Sequence, residues 1–508
     1  MAVARTLAVA LNGVDGAIVE VEADLANGLP AFTIIGLPDA ALGEAKDRVR
    51  SAAVNSGCDL PNRKVTVNLS PASLPKHGSG FDLGIAVAAL ATTGAVDTEA
   101  ISRIVHLGEL SLDGRLRPVA GVLPAVLAAR RNGARAVVVP SGNADEARLV
   151  PGIRVIGAAS LREVLIGHGA RLEPMPVEPL TMPMHDDQPL EVGDLSDVVG
   201  HPDAVEALQV AAAGGHHVLM LGPPGAGKTL LASRLPGLLP DLEPDAAVEV
   251  SSVRSLAGMP VGTSLVTRPP LEAPHHSATM ASLVGGGSGL VRPGAISRAA
   301  HGVLFLDEAP EFASSVLDAL RQPLETGEIT IHRARSVARF PARFQLVLAA
   351  NPCPCGNGGS VDGECTCTPM ARRRYLGRLS GPLLDRIDLH LTVHRVGALH
   401  LTAGTDGAIT TAAARQRVTA ARERARQRWG GGSLSLNAHA PGPMLRSQPW
   451  RLPAPDRAPL DRALERGALT MRGYDRVLRI AWSLADLDDR ERPGADDVGR
   501  ALYLRKGI

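Results

Sequence analysis

Eight consecutive residues carry the strongest chemical signal: Gly222, Pro223, Pro224, Gly225, Ala226, Gly227, Lys228 and Thr229. They fit the phosphate-binding pattern G-x-x-x-x-G-K-[ST] without a gap. Glycines let such a loop curl so that backbone N–H groups face phosphate oxygens at a helix N-terminus. Lys228 would reach the β- and γ-phosphates, and Thr229 would ligate Mg²⁺. Further along, Val303-Leu-Phe-Leu-Asp307-Glu308 reads as a buried strand ending in two acids. The carboxyl end of a strand is where open α/β sheets bind ligands. Asp307 would help hold Mg²⁺, and Glu308 would orient or deprotonate an attacking water. A third apolar run, Gln345–Ala350, ends at Asn351, whose amide could bond that water or the γ-phosphate.

A different chemistry is suggested by Cys353, Cys355, Cys365 and Cys367, four of the five cysteines, crowded around a glycine-rich turn. Four thiolates can make a tetrahedral Zn²⁺ site. The C-x-C spacing is tighter than the usual zinc pattern, so redox-sensitive or buried free thiols stay open as readings. Cys58 lies elsewhere and reads as a core residue.

These residues need elements to hold them. An apolar strand, His217–Leu221, precedes the phosphate loop and a helix follows it. With Val303–Asp307, Gln345–Ala350 and helices at Pro202–Ala213 and Ser314–Glu325, strands alternate with helices, which implies a mostly parallel sheet. Upstream, strands are expected at Ala17–Ala23, Ala31–Gly36, Lys64–Leu69, Ile104–Leu110 and Ala136–Pro140. Helices are expected there at Ala40–Ser56, Asp82–Thr92 and Leu123–Asn132, an α+β or α/β pattern. Downstream, Ala412–Arg428 and Gly473–Leu487 read as helices. Residues 171–190 hold five prolines and read as a linker, and 429–459 read as a mobile loop or insertion. The expected blocks are therefore 1–170, a linker at 171–190, 191–398 and 399–508.

At 508 residues the chain is too long for one compact domain. With 45% hydrophobic and 21% charged residues it is not a disordered chain. A net charge of +1 excludes a grossly basic nucleic-acid protein but not local basic patches. No apolar run reaches the length of a membrane span, and the N-terminus lacks a signal-peptide core. A cytoplasmic protein with no membrane partner is expected.

The order of phosphate loop, LFLDE, AANP and Ser380-Gly-Pro-Leu-Leu-Asp-Arg386-Ile-Asp388 resembles AAA+ ATPases of the magnesium-chelatase-like group. APHHSAT (273–279), LVGGGSGLVRPGAIS (283–297), NPCPCG (351–356) and SGPLLDRIDLH (380–390) narrow the resemblance to the YifB/ComM family, end to end. That resemblance implies an α/β fold with three parts: an N-terminal Lon-protease-like (S5-like) α+β domain, an AAA+ core with a parallel sheet, and a C-terminal helical lid. It implies ATP and Mg²⁺ bound between subunits of a homo-oligomeric ring, a hexamer. Arg386 would be the arginine finger and Arg472 the sensor-2 residue, joining Glu308 and Asn351 in catalysis. The cysteine cluster would be zinc-finger-like.

The resemblance also gives residues 328–343 the role of a pore hairpin, with His332, Arg333 and Arg335 gripping DNA phosphates. Segment 275–297 would form a second pore loop. The Arg-rich helix Ala412–Arg428 could meet nucleic acid, but a solvated helix is the better expectation. ComM-like ATP-driven branch migration of DNA is the implied activity. The alternatives are a chelatase-type or protein-remodelling ATPase without DNA translocation. In the N-terminal block, Pro75–Asp82 and Gly108–Pro118 carry the Lon-like resemblance. The protease serine position falls on Gly80, beside Ser79, and the lysine position on Leu123. A serine without its base is not an activated nucleophile, so no peptidase activity is expected. His106 and His168 read as structural.

Overall fold

The computed structural model describes residues 3–36, 44–181, 193–287, 290–333, 336–358, 365–396, 408–430 and 434–506. A seven-stranded mixed sheet organises the N-terminal part. Its order is Ala31–Ile35, Lys64–Ser70, Asp15–Ala26, Val3–Asn12, Ile104–His106, Ala136–Pro140 and Arg154–Ala158. The two longest strands form an antiparallel hairpin that turns at Gly13 and Val14. Gly13 has φ +67°, the left-handed region that glycine adopts without strain. Val65, Val67 and Leu69 alternate inward from Lys64–Ser70 against helix Asp82–Ala91, which is buried on every side.

Three buried polar groups tie this sheet together. Thr6 Oγ1 lies 2.8 Å from His106 Nδ1, and His106 Nε2 lies 2.9 Å from His168 Nε2. Burial, helped by the neighbouring imidazole, pushes His106 down to about 3, so the pair is neutral and structural.

The second sheet has five parallel strands in the order Leu271–Glu272, Val303–Leu306, Gln345–Ala350, Val218–Leu221 and Leu389–Thr392. Its strands are apolar on both faces because both faces are covered. Val218, Met220, Phe305, Val347 and Leu391 point into one core, shared with the C-terminal helices. Leu219, Leu304, Leu306, Leu346 and Leu348 point into the other.

The C-terminal part is helical, with Thr411–Trp429, Ala454–Glu465, Met471–Leu487 and Ala495–Lys506 as its main elements. Of the stretch expected as a mobile loop, 429–459, the described residues 434–459 pack against the helices instead. Trp450 sits edge-on to Trp429 and Trp482, at ring separations of 4.9 and 6.0 Å. Burial of large aromatic surface outweighs the proline content of this segment. Most arginines of helix Thr411–Trp429 are engaged within the chain, although Arg417 and Arg426 stay exposed. Arg415 pairs with Asp241, Arg417 with Asp488, Arg424 with Asp489 and Arg428 with Asp486. Arg422 is half-buried and donates to the Ala212 carbonyl at 2.8 Å.

Two more expectations are corrected. Ser314–Glu325 is two short helices, Ser314–Ala319 and Arg321–Thr326, with Pro323 in the first turn of the second, where its missing N–H costs least. Ile104–Leu110 ends as a sheet strand at His106, and Glu109–Leu110 pairs separately with Leu116–Arg117.

The N-terminal sheet docks on the second part. Val14 N donates to Arg339 O at 3.4 Å and Asn12 Nδ2 to Val337 O at 2.8 Å. Leu11 and Val14 pack with Leu256, Ala338 and Phe340. Leu123, at the expected lysine position, is buried, and its N–H donates to Glu146 Oε1 at 3.0 Å beside Ser255. Ser79 donates to the Glu109 carboxylate.

Candidate nucleotide site

Strand Val218–Leu221 delivers the chain to the phosphate loop, and helix Lys228–Leu238 carries it away. Gly225 and Gly227 have φ of +75° and +89°, which side-chain-bearing residues rarely adopt. They curl the loop so that Lys228 folds back over it. Lys228 Nζ donates to Gly222 O at 2.6 Å, to Pro223 O at 3.0 Å and to Asn351 Oδ1 at 3.0 Å. Burial pushes its ammonium below the ordinary lysine value, against the pull of Asp307 and Glu308. An anion in the loop would offset that desolvation by charge attraction.

Thr229 Oγ1 donates to Asp307 Oδ2 at 2.7 Å. The hydroxyl and carboxylate expected to share Mg²⁺ therefore meet at one point, which fits a hard cation with oxygen ligands. Asp307 Oδ1 accepts from the Glu308 N–H at 2.9 Å, and Glu308 stands at φ +49°. The carboxyl ends of three neighbouring strands thus bring together Lys228, Thr229, Asp307, Glu308 and Asn351. The parallel register enforces this, because Leu221 pairs with Ala350 and Leu306 with Leu348.

Arg386 and Arg472 form a second group. Arg386 is paired with Glu325 and donates to Pro382 O at 2.5 Å. Burial and three neighbouring guanidinium groups, Arg321, Arg472 and Arg476, lower its affinity for its proton. Arg472 is 77% exposed and lies 3.7 Å from Asp385. Among the described residues, no hydrogen bond or ion pair joins either arginine to the phosphate loop.

The sequence reading missed the hub beneath this pair. Asp388 is buried, pairs with Arg476 of helix Met471–Leu487 and lies 3.1 Å from His216 Nδ1. His216 Nε2 lies 2.8 Å from Ser483 Oγ on the same helix. Burial opposes ionisation of Asp388, but Arg476 and His216 outweigh it and hold the carboxyl well below the usual range. Arg395 was also missed, and its Nε donates to Pro224 O at 3.2 Å.

Cys353, Cys355, Cys365 and Cys367 place their sulfurs within 4.8 Å of one another. Cys353 Sγ lies 3.3 Å from Cys355 Sγ and 3.6 Å from Cys365 Sγ. Zn–S bonds of about 2.3 Å in a tetrahedron space sulfurs about 3.8 Å apart, so the set fits zinc. The cluster abuts the phosphate loop. A Cβ on Gly356, at φ +80°, would lie 2.6 Å from Pro224 Cδ.

The segment expected to form a pore hairpin is a two-stranded antiparallel hairpin, Glu328–Arg333 paired with Ser336–Pro341. His332 is exposed near its tip, and Arg333 donates to the Gly287 carbonyl. Arg335 lies outside the described residues.

Three family models match the chain. "Magnesium chelatase, subunit ChlI" covers residues 194–401, "Subunit ChlI of Mg-chelatase" covers 21–143, and "Magnesium chelatase, subunit ChlI C-terminal" covers 408–505. The chain is 51% identical to a protein of Mycobacterium tuberculosis strain H37Rv over 513 residues, covering 100% of this chain and 99% of that one. It is 41% identical to competence protein ComM of Haemophilus influenzae over 99% of this chain and 98% of that one. It is 40% identical to YifB of Escherichia coli K12, at 94% and 92%. A shorter similarity, 30% over 148 residues, links it to 18% of the Lon protease of Roseiflexus castenholzii. No described helix is long and apolar enough to cross a membrane. Fold, site order and relatives over nearly the whole length agree, and the chain belongs to the ComM/YifB family of magnesium-chelatase-like proteins.

Proposed function

We propose that this protein is an ATP-hydrolysing AAA+ motor that acts on DNA as a homo-oligomeric, hexameric ring. The observation that carries the reading is the junction of Lys228, Thr229, Asp307 and Asn351, one residue from Glu308. Loop amides and Lys228 bind the β- and γ-phosphates and replace the carbonyl contacts Lys228 now makes. Thr229 and Asp307 hold Mg²⁺, which neutralises phosphate charge when bound. Glu308 orients the water and takes its proton. Asn351 holds Lys228 and the γ-phosphate in register. Arg386 reaches the nucleotide of the adjacent subunit, with Arg472 beside it, which explains why neither meets the loop of its own chain.

His332, Arg333 and Arg335 of the hairpin would contact backbone phosphates by charge. Relatedness to a protein named for competence supports DNA as cargo, with branch migration as the output. The Lon-like part, residues 1–170, serves binding, assembly or regulation. Cys353, Cys355, Cys365 and Cys367 would hold a structural zinc, which would supply a crosslink beside the strand end that carries Asn351.

Forked DNA titrated into Glu308→Gln protein with ATP, across a salt series, tests this reading. Affinity should fall steeply with salt, and Arg333→Ala should reduce the log–log slope by about 1. DNA binding that is absent, or indifferent to salt, would leave the chelatase-type or protein-remodelling reading in its place.

A further inference from the structure

The N-terminal part takes hold of the hairpin 328–341. Strand Ser336–Pro341 pairs with Glu328–Arg333 along its inner edge, Val337 opposite His332 and Arg339 opposite Thr330. Its outer edge is met by segment 12–14, the end of the long N-terminal hairpin. Asn12 Nδ2 donates to Val337 O at 2.8 Å, and Val14 N donates to Arg339 O at 3.4 Å. Gly13 forms a parallel bridge with Arg339, an approach so close that it leaves no room for a Cβ. Carbonyls two residues apart face the same side of a strand, so one turn reaches both.

The alternate residues of the strand are held as well. Ala338 and Phe340 are buried with Leu256 and Val291, and Leu11 and Val14 pack against this cluster. Leu256 lies in the last turn of helix Pro244–Ala257. The N-terminal part grips that helix end too, where Gly121 N donates to Ser255 O at 3.0 Å. A two-stranded hairpin is marginal by itself. This one is braced along an edge by backbone bonds and on a face by apolar burial, and both braces come from the Lon-like part.

From this geometry we infer that segment 12–14 of the Lon-like part is a positioning element for the hairpin. It fixes the angle at which His332 and Arg333 meet backbone phosphates, and it touches no nucleic acid itself. A hairpin ordered beforehand loses less conformational freedom when it binds, so the brace adds affinity without adding a contact. The role needs no protease chemistry from the N-terminal part. The inference rests on the reading of the hairpin as a grip on DNA.

The test titrates forked DNA into full-length Glu308→Gln protein with ATP, alone and with Val14→Asp, Val14→Ile, Asn12→Ala or Arg333→Ala added. Val14→Asp sets a charge against Leu256 and Phe340 and should weaken DNA binding about tenfold. Hydrogen exchange across 336–341 should rise, and affinity for fluorescent ATP should stay the same. Its log–log salt slope should match the parent, because the phosphate contacts are unchanged in number, whereas Arg333→Ala should lower the slope by about 1. Val14→Ile keeps the apolar contact and should bind DNA like the parent. Asn12→Ala removes one hydrogen bond and should weaken DNA binding about threefold. Parental DNA affinity in Val14→Asp, with exchange raised across 336–341, overturns the inference alone, and so does exchange that does not rise. Where Val14→Asp loses ATP binding through general unfolding, parental DNA affinity in Asn12→Ala overturns it. Parental affinity and slope in Arg333→Ala overturn it together with the assignment of the hairpin to DNA.

Discussion

Replacing Asp388 by Ala should loosen the C-terminal helices from the parallel sheet. The carboxylate is 3% exposed and its partner Arg476 is 14% exposed. Removing one member of a buried pair costs about 3–5 kcal/mol, because the other charge stays buried without compensation. The orphaned His216 nitrogen adds about 1 kcal/mol. Arg476 keeps its bond to the Arg386 carbonyl at 3.1 Å, which recovers part of the loss. A net cost of about 4 kcal/mol follows. All three tryptophans of the chain, Trp429, Trp450 and Trp482, lie in the affected part, so their fluorescence reports its unfolding selectively. With a urea dependence of about 3 kcal/mol per molar, the midpoint should fall by about 1.3 M. The pH dependence has a definite sign. Asp388 is depressed in the folded chain, so its contribution is complete above the unfolded aspartate value of about 4 and fades below it. Wild type and variant should therefore converge as pH falls from about 4 towards 2. A midpoint shift below about 0.3 M at neutral pH, or a gap that persists unchanged at low pH, would refute this reasoning.

Gly356→Val forces a side chain into left-handed backbone against Pro224, at about 1–2 kcal/mol, and should weaken fluorescent-ATP binding about tenfold. Unchanged affinity would show that the cysteine loop does not brace the phosphate loop. Full-length protein purified with zinc should carry about one ion per chain by elemental analysis, and Cys353→Ser should lose it. Gly13→Val would set a Cβ against the Arg339 carbonyl and should raise hydrogen exchange across 336–341 without altering ATP affinity.

The candidate nucleotide site was legible because its residues come in contiguous runs. A glycine loop, an apolar run ending in Asp307 and Glu308, and a run ending in Asn351 each read locally. The parallel sheet then needed only alternation of strands and helices. What stayed hidden depends on long-range pairing. Asp388 meets His216 from 172 residues away and Arg476 from 88. The arginines after Thr411 look solvent-bound until Asp241, Asp486 and Asp488 arrive from elsewhere. Strand Val3–Asn12 was hidden because Asn12-Gly13, at its end, reads as a break in an apolar stretch and equally as a hairpin. Trp450 was masked by surrounding prolines. The approach of His276 Nδ1 to Glu308 Oε2, at 3.2 Å, needed the strand order, which places the edge strand Leu271–Glu272 beside Val303–Leu306.

The most direct measurement is steady-state ATP hydrolysis by the intact chain with no nucleic acid, with single-stranded DNA and with a four-way junction, at two salt concentrations. Glu308→Gln sets the background. Hydrolysis that DNA raises several-fold, and that high salt returns to the basal rate, is the expected result for a DNA motor. Basal hydrolysis that neither DNA nor salt changes would contradict it and leave the chelatase-type or protein-remodelling reading in its place.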